Sequence, residues 1–253
     1  AIYDVYSQLA FWIDSALTNM ILLLAWAWIK GPEELASAKE LAGEALNLKG
    51  IVKFLRDQPQ ENGRSLIFLL LSNLLSYVAL AQMQAFLSSY GVFTLGMKEG
   101  EAAMLVAIPA LAFMVVAIPA GLLANKIGRK TTQIIGLLGY AIGAMVIFLF
   151  PDKTMLNVGL MICGLTWPLA NVVQVAMILD SAPVDTLMGT YTGIRQIAVT
   201  LGFIIGPILG GTLVEAMGNN YRWVWLIMFV FLVLATLAML PVTKGESRPE
   251  AVV

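Results

Sequence analysis

Two sets of uncharged polar side chains recur at helical spacing in a chain that is otherwise apolar. Asn73, Tyr77 and Gln84 fall on one face at 3.6 residues per turn, with Ser76 beside it. Trp167, Asn171 and Gln174 are spaced i, i+4, i+7 and share a second face. Amides, a phenol and an indole exchange hydrogen bonds without changing charge near neutrality, so their chemistry is recognition, not proton transfer. The chain has no histidine and a single cysteine, Cys163. That removes the commonest general base and any multi-cysteine metal site. No nucleophile–base pair stands out, so neither an enzyme nor a cofactor is expected.

Charges within apolar runs carry the next clue. Arg195 lies in the run 186–214, Asp180 closes the one before it, and Asp185 follows Pro183. An arginine at membrane depth needs water or a partner. Asp180 is the first candidate partner and Asp185 the second; the alternative is that Arg195 snorkels to the nearer surface. Gly202, Gly206 and Gly210 recur every four residues around Pro207. They leave one helix face without bulk and permit a bend, a pattern for close packing or for a flexible gate. Pro109 and Pro119 offer the same in an earlier run.

The elements that must position these residues follow from composition. Of 253 residues, 59% are apolar and only 12% charged, too greasy for a soluble domain of this size. Stretches 65–97, 102–125, 131–151, 154–179 and 223–243 are free of charge. Each is long enough to cross a bilayer, which takes about 20 apolar residues. Stretches 9–29, with Asp14, and 186–214, with Arg195, make seven expected spans. Residues 31–64 hold most of the soluble character: an amphipathic linker of short helices, closed by the breaker "PQENGR". Lipid is therefore an expected partner. The net charge of −1 gives no case for nucleic acid.

Cations sort the loops by side. Residues 30–64, the hairpin with Lys126, Arg129 and Lys130, and the tail with Lys244 and Arg248 are rich in Lys and Arg. The opposite loops hold Lys98, Lys153 and Arg222. The positive-inside rule assigns the richer side, including the C-terminus, to the cytoplasm, with the plasma membrane as the expected location. Trp12, Tyr90, Tyr221, Trp223 and Trp225 fall where an outer interfacial belt is expected, and Trp26 and Trp28 at the inner end of the first span. Asp14 and Glu215 are expected to be solvated at outer ends. The chain opens with Ala1 close to an apolar segment, without preceding cations, so it does not read as a signal peptide and is expected to be part of something longer.

The stretch "GLLANKIGRK", 121–130, closely resembles the loop signature of the major facilitator superfamily. Gly121, Leu123, Gly128, Arg129 and Lys130 match; Asn125 stands where the family usually has Asp. "DSAPVDTLMGTYTGIRQIAVTLGFIIGPILGG" and "YRWVWL" resemble that family's last two helices, and 189–193 faintly resembles its sucrose and glycoside branch. The resemblance implies an all-α membrane protein: the C-terminal six-helix half of the fold, 65–243, preceded by a linker, 31–64, and one further transmembrane helix within 1–30, with a tail over 244–253. It implies a cavity lined by the two striped spans. It implies a cytoplasmic gate of Gly121, Asn125, Gly128, Arg129, Lys130, Asp180 and Arg195, in which Gly121 permits close contact, Gly128 the turn, and the cations clasp carboxylates or helix ends. Asn125 weakens one such latch. The function implied is secondary active transport of a small polar solute, such as a sugar, by alternating access, with the coupling proton or sodium ion held by an absent N-terminal half. An efflux pump for amphipathic compounds is the second reading. A non-transporting scaffold, or a half-transporter that pairs with another chain, is the reading of a different class.

Overall fold

The structure, a computed structural model, describes residues 60–181, 188–243 and 245, with Ala16, Asn19, Met20, Leu23 and Leu24. The chain divides into two units, Ala1–Gly50 and Ile51–Val253. In the first unit the described residues are helical and exposed. The first expected span otherwise lies outside the described residues, as do Trp12, Asp14, Trp26, Trp28, Asp185, most of the linker and the end of the tail.

The described residues of the second unit form helices joined by short turns. Its elements are α1 (Gln60–Ser89), continued by a wider π turn (Tyr90–Thr94), the short α2 (Glu99–Met104), α3 (Ala107–Ile127), α4 (Arg129–Leu149), α5 (Lys153–Asp180), α6 (Met188–Ala216) and α7 (Arg222–Met239). Six of the resulting helical runs are long and apolar enough to cross a membrane. Their outer faces carry large apolar side chains in the open: Met114, Val115 and Ile118 of α3 are 71%, 71% and 79% exposed. Such surface is stable against hydrocarbon and costly in water, at about 25 cal/mol per Å². The protein is an integral membrane protein.

Local chemistry explains the boundaries. Asp152 caps α5: its Oδ1 accepts the backbone N–H of Thr154 and Met155, both at 2.9 Å. Gly128 alone joins α3 to α4, at φ 90°, a conformation that strains any residue with a Cβ. The run expected over 102–125 is broken at Leu105–Val106. Pro109 has no N–H to give to the Leu105 carbonyl, which accepts from Ile108 at 3.2 Å instead. The "PQENGR" stretch does not act as a breaker over its described part, since α1 begins at Gln60.

Neighbouring helices follow one another in the order α6, α1, α7, α4, α5, α3. The end members, α3 and α6, make no substantial contact with each other. They are also the least buried: 17% and 28% of their membrane windows, against 67% for α1. The arrangement is a horseshoe with its mouth between α3 and α6. Small residues set its seams. A Cβ on Gly206 of α6 would lie 2.6 Å from the Val78 carbonyl of α1, and one on Gly136 of α4 would lie 2.5 Å from the Ala170 nitrogen of α5. Gly202 and Gly210 meet Tyr77 and Phe86 as closely, and Pro207 lies half-buried between them. This face of α6 is a packing seam against α1.

Two aromatic residues expected at an interfacial belt lie in the core instead. Tyr90 and Trp225 are 0% and 1% exposed and meet edge to face at 5.5 Å. Each packs on the other and belongs to the buried core of the bundle, so protein rather than lipid surrounds them. Tyr221 and Trp223 remain half-buried.

Candidate functional site

The two polar stripes face each other. α1 and α5 run antiparallel, and the Asn73 amide nitrogen donates to Gln174 Oε1 at 2.8 Å. One turn along, the Asn171 amide donates to the Tyr77 hydroxyl at 2.7 Å. Trp167 stands edge to face with Tyr77 at 5.5 Å and packs on Tyr140 of α4 at 5.3 Å. The stripe is graded in burial. Asn73 and Gln174 are 0% and 1% exposed and act as a buried cross-link, whereas Asn171 is half-buried and Gln84 exposed. Gln84 and Trp167 line a cavity of about 290 Å³ between α1, α3 and α5. Its remaining wall is mostly apolar, with Leu80, Met83, Phe113 and Tyr140 among the lining residues.

Arg195 joins this group from α6. Its Nη2 donates to the Tyr77 hydroxyl at 3.2 Å, and its guanidinium lies 5.9 Å from the centre of the Tyr77 ring. Its Nε is buried without a hydrogen-bond partner. The expected pairing with Asp180 does not form. Asp180 accepts from Arg129 instead, because the glycine seam of α4 and α5 brings the start of one helix to the end of the other. A guanidinium at membrane depth costs roughly 2.5–3.5 kcal/mol on insertion scales. Tyr77 gives it one hydrogen bond and a ring face, and no countercharge.

The hairpin around Gly128 makes two clasps. Arg129 pairs with Asp180. Lys130 Nζ donates to the carbonyls of Leu240 and Val242, both at 2.7 Å, capping the end of α7. Asn125 is exposed at the end of α3. Gly121 is not a point of close contact in this unit: a Cβ there would have nothing within 4 Å. Glu215 is exposed at the other end of α6.

Sequence periodicity did not point to Tyr140, Cys163 or Phe113, which share the cavity wall with Trp167. Tyr140 carries a weak signal, as the aromatic side chain in the small-residue stretch "GLLGYAIGA". Gln133 and Gln82 are also 0% exposed, with neither amide atom of either one bonded.

A family model described as Major Facilitator Superfamily matches the chain over residues 1–187 and again over 93–252. The chain belongs to the Major Facilitator Superfamily. Among curated relatives, it is 30% identical over 125 residues to an uncharacterised MFS-type transporter of Methanocaldococcus jannaschii, covering 49% of this chain and 32% of that one. It is 30% identical over 106 residues to the acurin A biosynthesis cluster MFS-type transporter of Aspergillus aculeatus, covering 42% and 18%. Among solved structures, a peptide transporter POT in complex with sulfate matches with TM-score 0.66 at 18% identity, over 74% of this chain and 40% of that one. A POT family transporter in complex with a thioalcohol-conjugated peptide matches with TM-score 0.64 at 20% identity, over 69% and 37%. At such identities the superfamily chain shares the fold of these structures. The matched stretch spans at most a third of the curated relatives' length.

Proposed function

We propose that this chain is the C-terminal half of a secondary active transporter that moves a small polar solute by alternating access. The observation that carries the reading is the junction of Tyr77, Asn171, Trp167 and Arg195 beside a cavity that opens within a horseshoe of membrane helices. Hydrogen-bonding groups held at membrane depth are costly unless they serve a polar guest or one another. Asn73 and Gln174 are buried and bonded to each other once, with Asn73 Oδ1 and Gln174 Nε2 left without partners; the half-buried Asn171 end of the stripe is the part within reach of a guest.

In this reading a preceding six-helix half covers the mouth between α3 and α6, and the coupling proton or sodium ion binds there. The clasps at the Gly128 hairpin hold the cytoplasmic end of the bundle shut in one state and release in the other. A hydroxyl-rich solute such as a sugar accounts for the amides and leaves the charge of Arg195 unused. The apolar wall of the cavity favours the second reading, an amphipathic solute.

The test is uptake by the full-length protein in liposomes, under imposed proton and sodium gradients. Asn171→Leu is expected to cut the rate by about two- to tenfold, the effect of losing one neutral hydrogen bond worth about 0.5–1.5 kcal/mol, while the protein still inserts and elutes as a single species. Unchanged uptake by that variant would reduce the stripe to packing.

A further inference from the structure

No carboxylate among the described residues lies against the charge of Arg195. Among the described residues of the second unit, the other carboxylates whose side chains are described are committed or remote. Asp180 is paired with Arg129, Asp152 caps α5, and Glu101 is 3.4 Å from Lys153. Glu99 lies beside Glu101 at the far end of the bundle. Glu215 is on the same helix as Arg195 but twenty residues on, about 30 Å along its axis. Hydrogen bonding at the site points the same way. The Tyr77 oxygen accepts from both Asn171 and Arg195, so the hydroxyl proton is what it has left to give. Arg195 Nε is a buried donor without an acceptor. A cation, a spare N–H and a spare O–H sit side by side, a donor-rich arrangement that a neutral sugar does not satisfy and an oxyanion does.

Beside this point lies apolar space. Trp167 is in contact with Tyr77 on one side and forms the wall of the 290 Å³ cavity on the other. Phe203 packs on the same tyrosine at 5.8 Å. Resting on the transport reading above, we propose that the solute is an amphipathic organic anion. Its carboxylate or phosphoryl group is held by Arg195 and Tyr77, and its apolar body lies past Trp167 in the cavity between α1, α3 and α5. The guanidinium fork matches either oxyanion, and a planar aromatic body suits the ring-lined wall.

The full-length protein in liposomes, given benzoate, phenyl phosphate, benzamide and glucose as labelled probes, tests this. Benzoate or phenyl phosphate is expected to be carried, and the preference between them distinguishes the two oxyanions; neutral benzamide is expected to be carried at least about tenfold more slowly. Arg195→Gln is expected to lower anion transport by about ten- to a hundredfold, with Arg195→Lys partly restoring it, because the charge returns without the fork. Binding of benzoate to the purified protein, read as quenching of tryptophan fluorescence, is expected to fall in the same order, a readout independent of turnover. Transport of glucose without competition by either anion would keep the transporter reading and overturn the anionic solute. Equal transport of benzoate and benzamide, or wild-type anion affinity in Arg195→Gln, would also overturn it. Movement of none of the four probes, with no anion binding, would overturn the anion assignment; the same result with a wider solute panel would sink the transporter reading itself.

Discussion

Burial decides what the amide pair Asn73–Gln174 is worth. Each side chain is essentially without solvent access, so removing one leaves the other unsatisfied, at about 1–3 kcal/mol. Gln174→Leu alone is therefore expected to lower the melting temperature of the purified full-length protein, and Asn73→Leu likewise. The double variant is expected to lose less than the sum, because no stranded amide remains. Strict additivity in thermal unfolding would show that the two side chains are not coupled. This pair was legible in sequence as two stripes of fixed period, since amides one or two turns apart must share a helix face. That they meet each other was not legible, because 101 residues separate them. The misassigned partner of Arg195 has the same origin. Proximity along the chain suggested Asp180, while the carboxylate belongs to Arg129, 51 positions away.

At the scale of elements, α4 and α7 cap each other. Lys130 in the first turn of α4 reaches the Leu240 and Val242 carbonyls beyond α7. Arg222 at the start of α7 reaches the Phe148 carbonyl at the end of α4 at 2.6 Å, with its guanidinium 4.9 Å from the Phe148 ring centre. Each cation sits at the wrong end of its own helix dipole and at the right end of its neighbour's. Lys130→Ala and Arg222→Ala are each expected to cost roughly 0.5–2 kcal/mol. Their effects should add, since the caps lie at opposite ends of a 21-residue helix. Non-additive unfolding shifts would argue against two separate caps. Gly206→Val is expected to do more damage, because its Cβ would meet the Val78 carbonyl, backbone that a rotamer change cannot move. Its readout is loss of monodisperse protein after detergent extraction, and normal yield would mean that α6 is free to shift from α1. Small-residue periodicity made this seam visible in sequence. The break between α2 and α3 was not, because Pro109 could as well have bent one continuous helix.

At the scale of the molecule, the horseshoe leaves α3 and α6 largely uncovered, and the positive-inside rule makes the cytoplasmic side the expected place of the cation-rich hairpin. Cys163 is the chain's one cysteine and is buried, which makes surface labelling simple once it is replaced by alanine. With Asn220→Cys a membrane-impermeant maleimide is expected to react in intact cells, and with Asn125→Cys only after permeabilisation. The reverse pattern would invert the assigned orientation. Sequence alone determined that the second unit is made of membrane helices, roughly where its six described spans run and which faces are polar, because lipid exacts an apolar stretch of fixed length and the helix repeat fixes the faces. Tertiary structure alone decided which helices touch, which buried amides satisfy one another and which side chains wall the cavity. Those outcomes depend on close approaches between segments far apart in the chain, and no local periodicity encodes them.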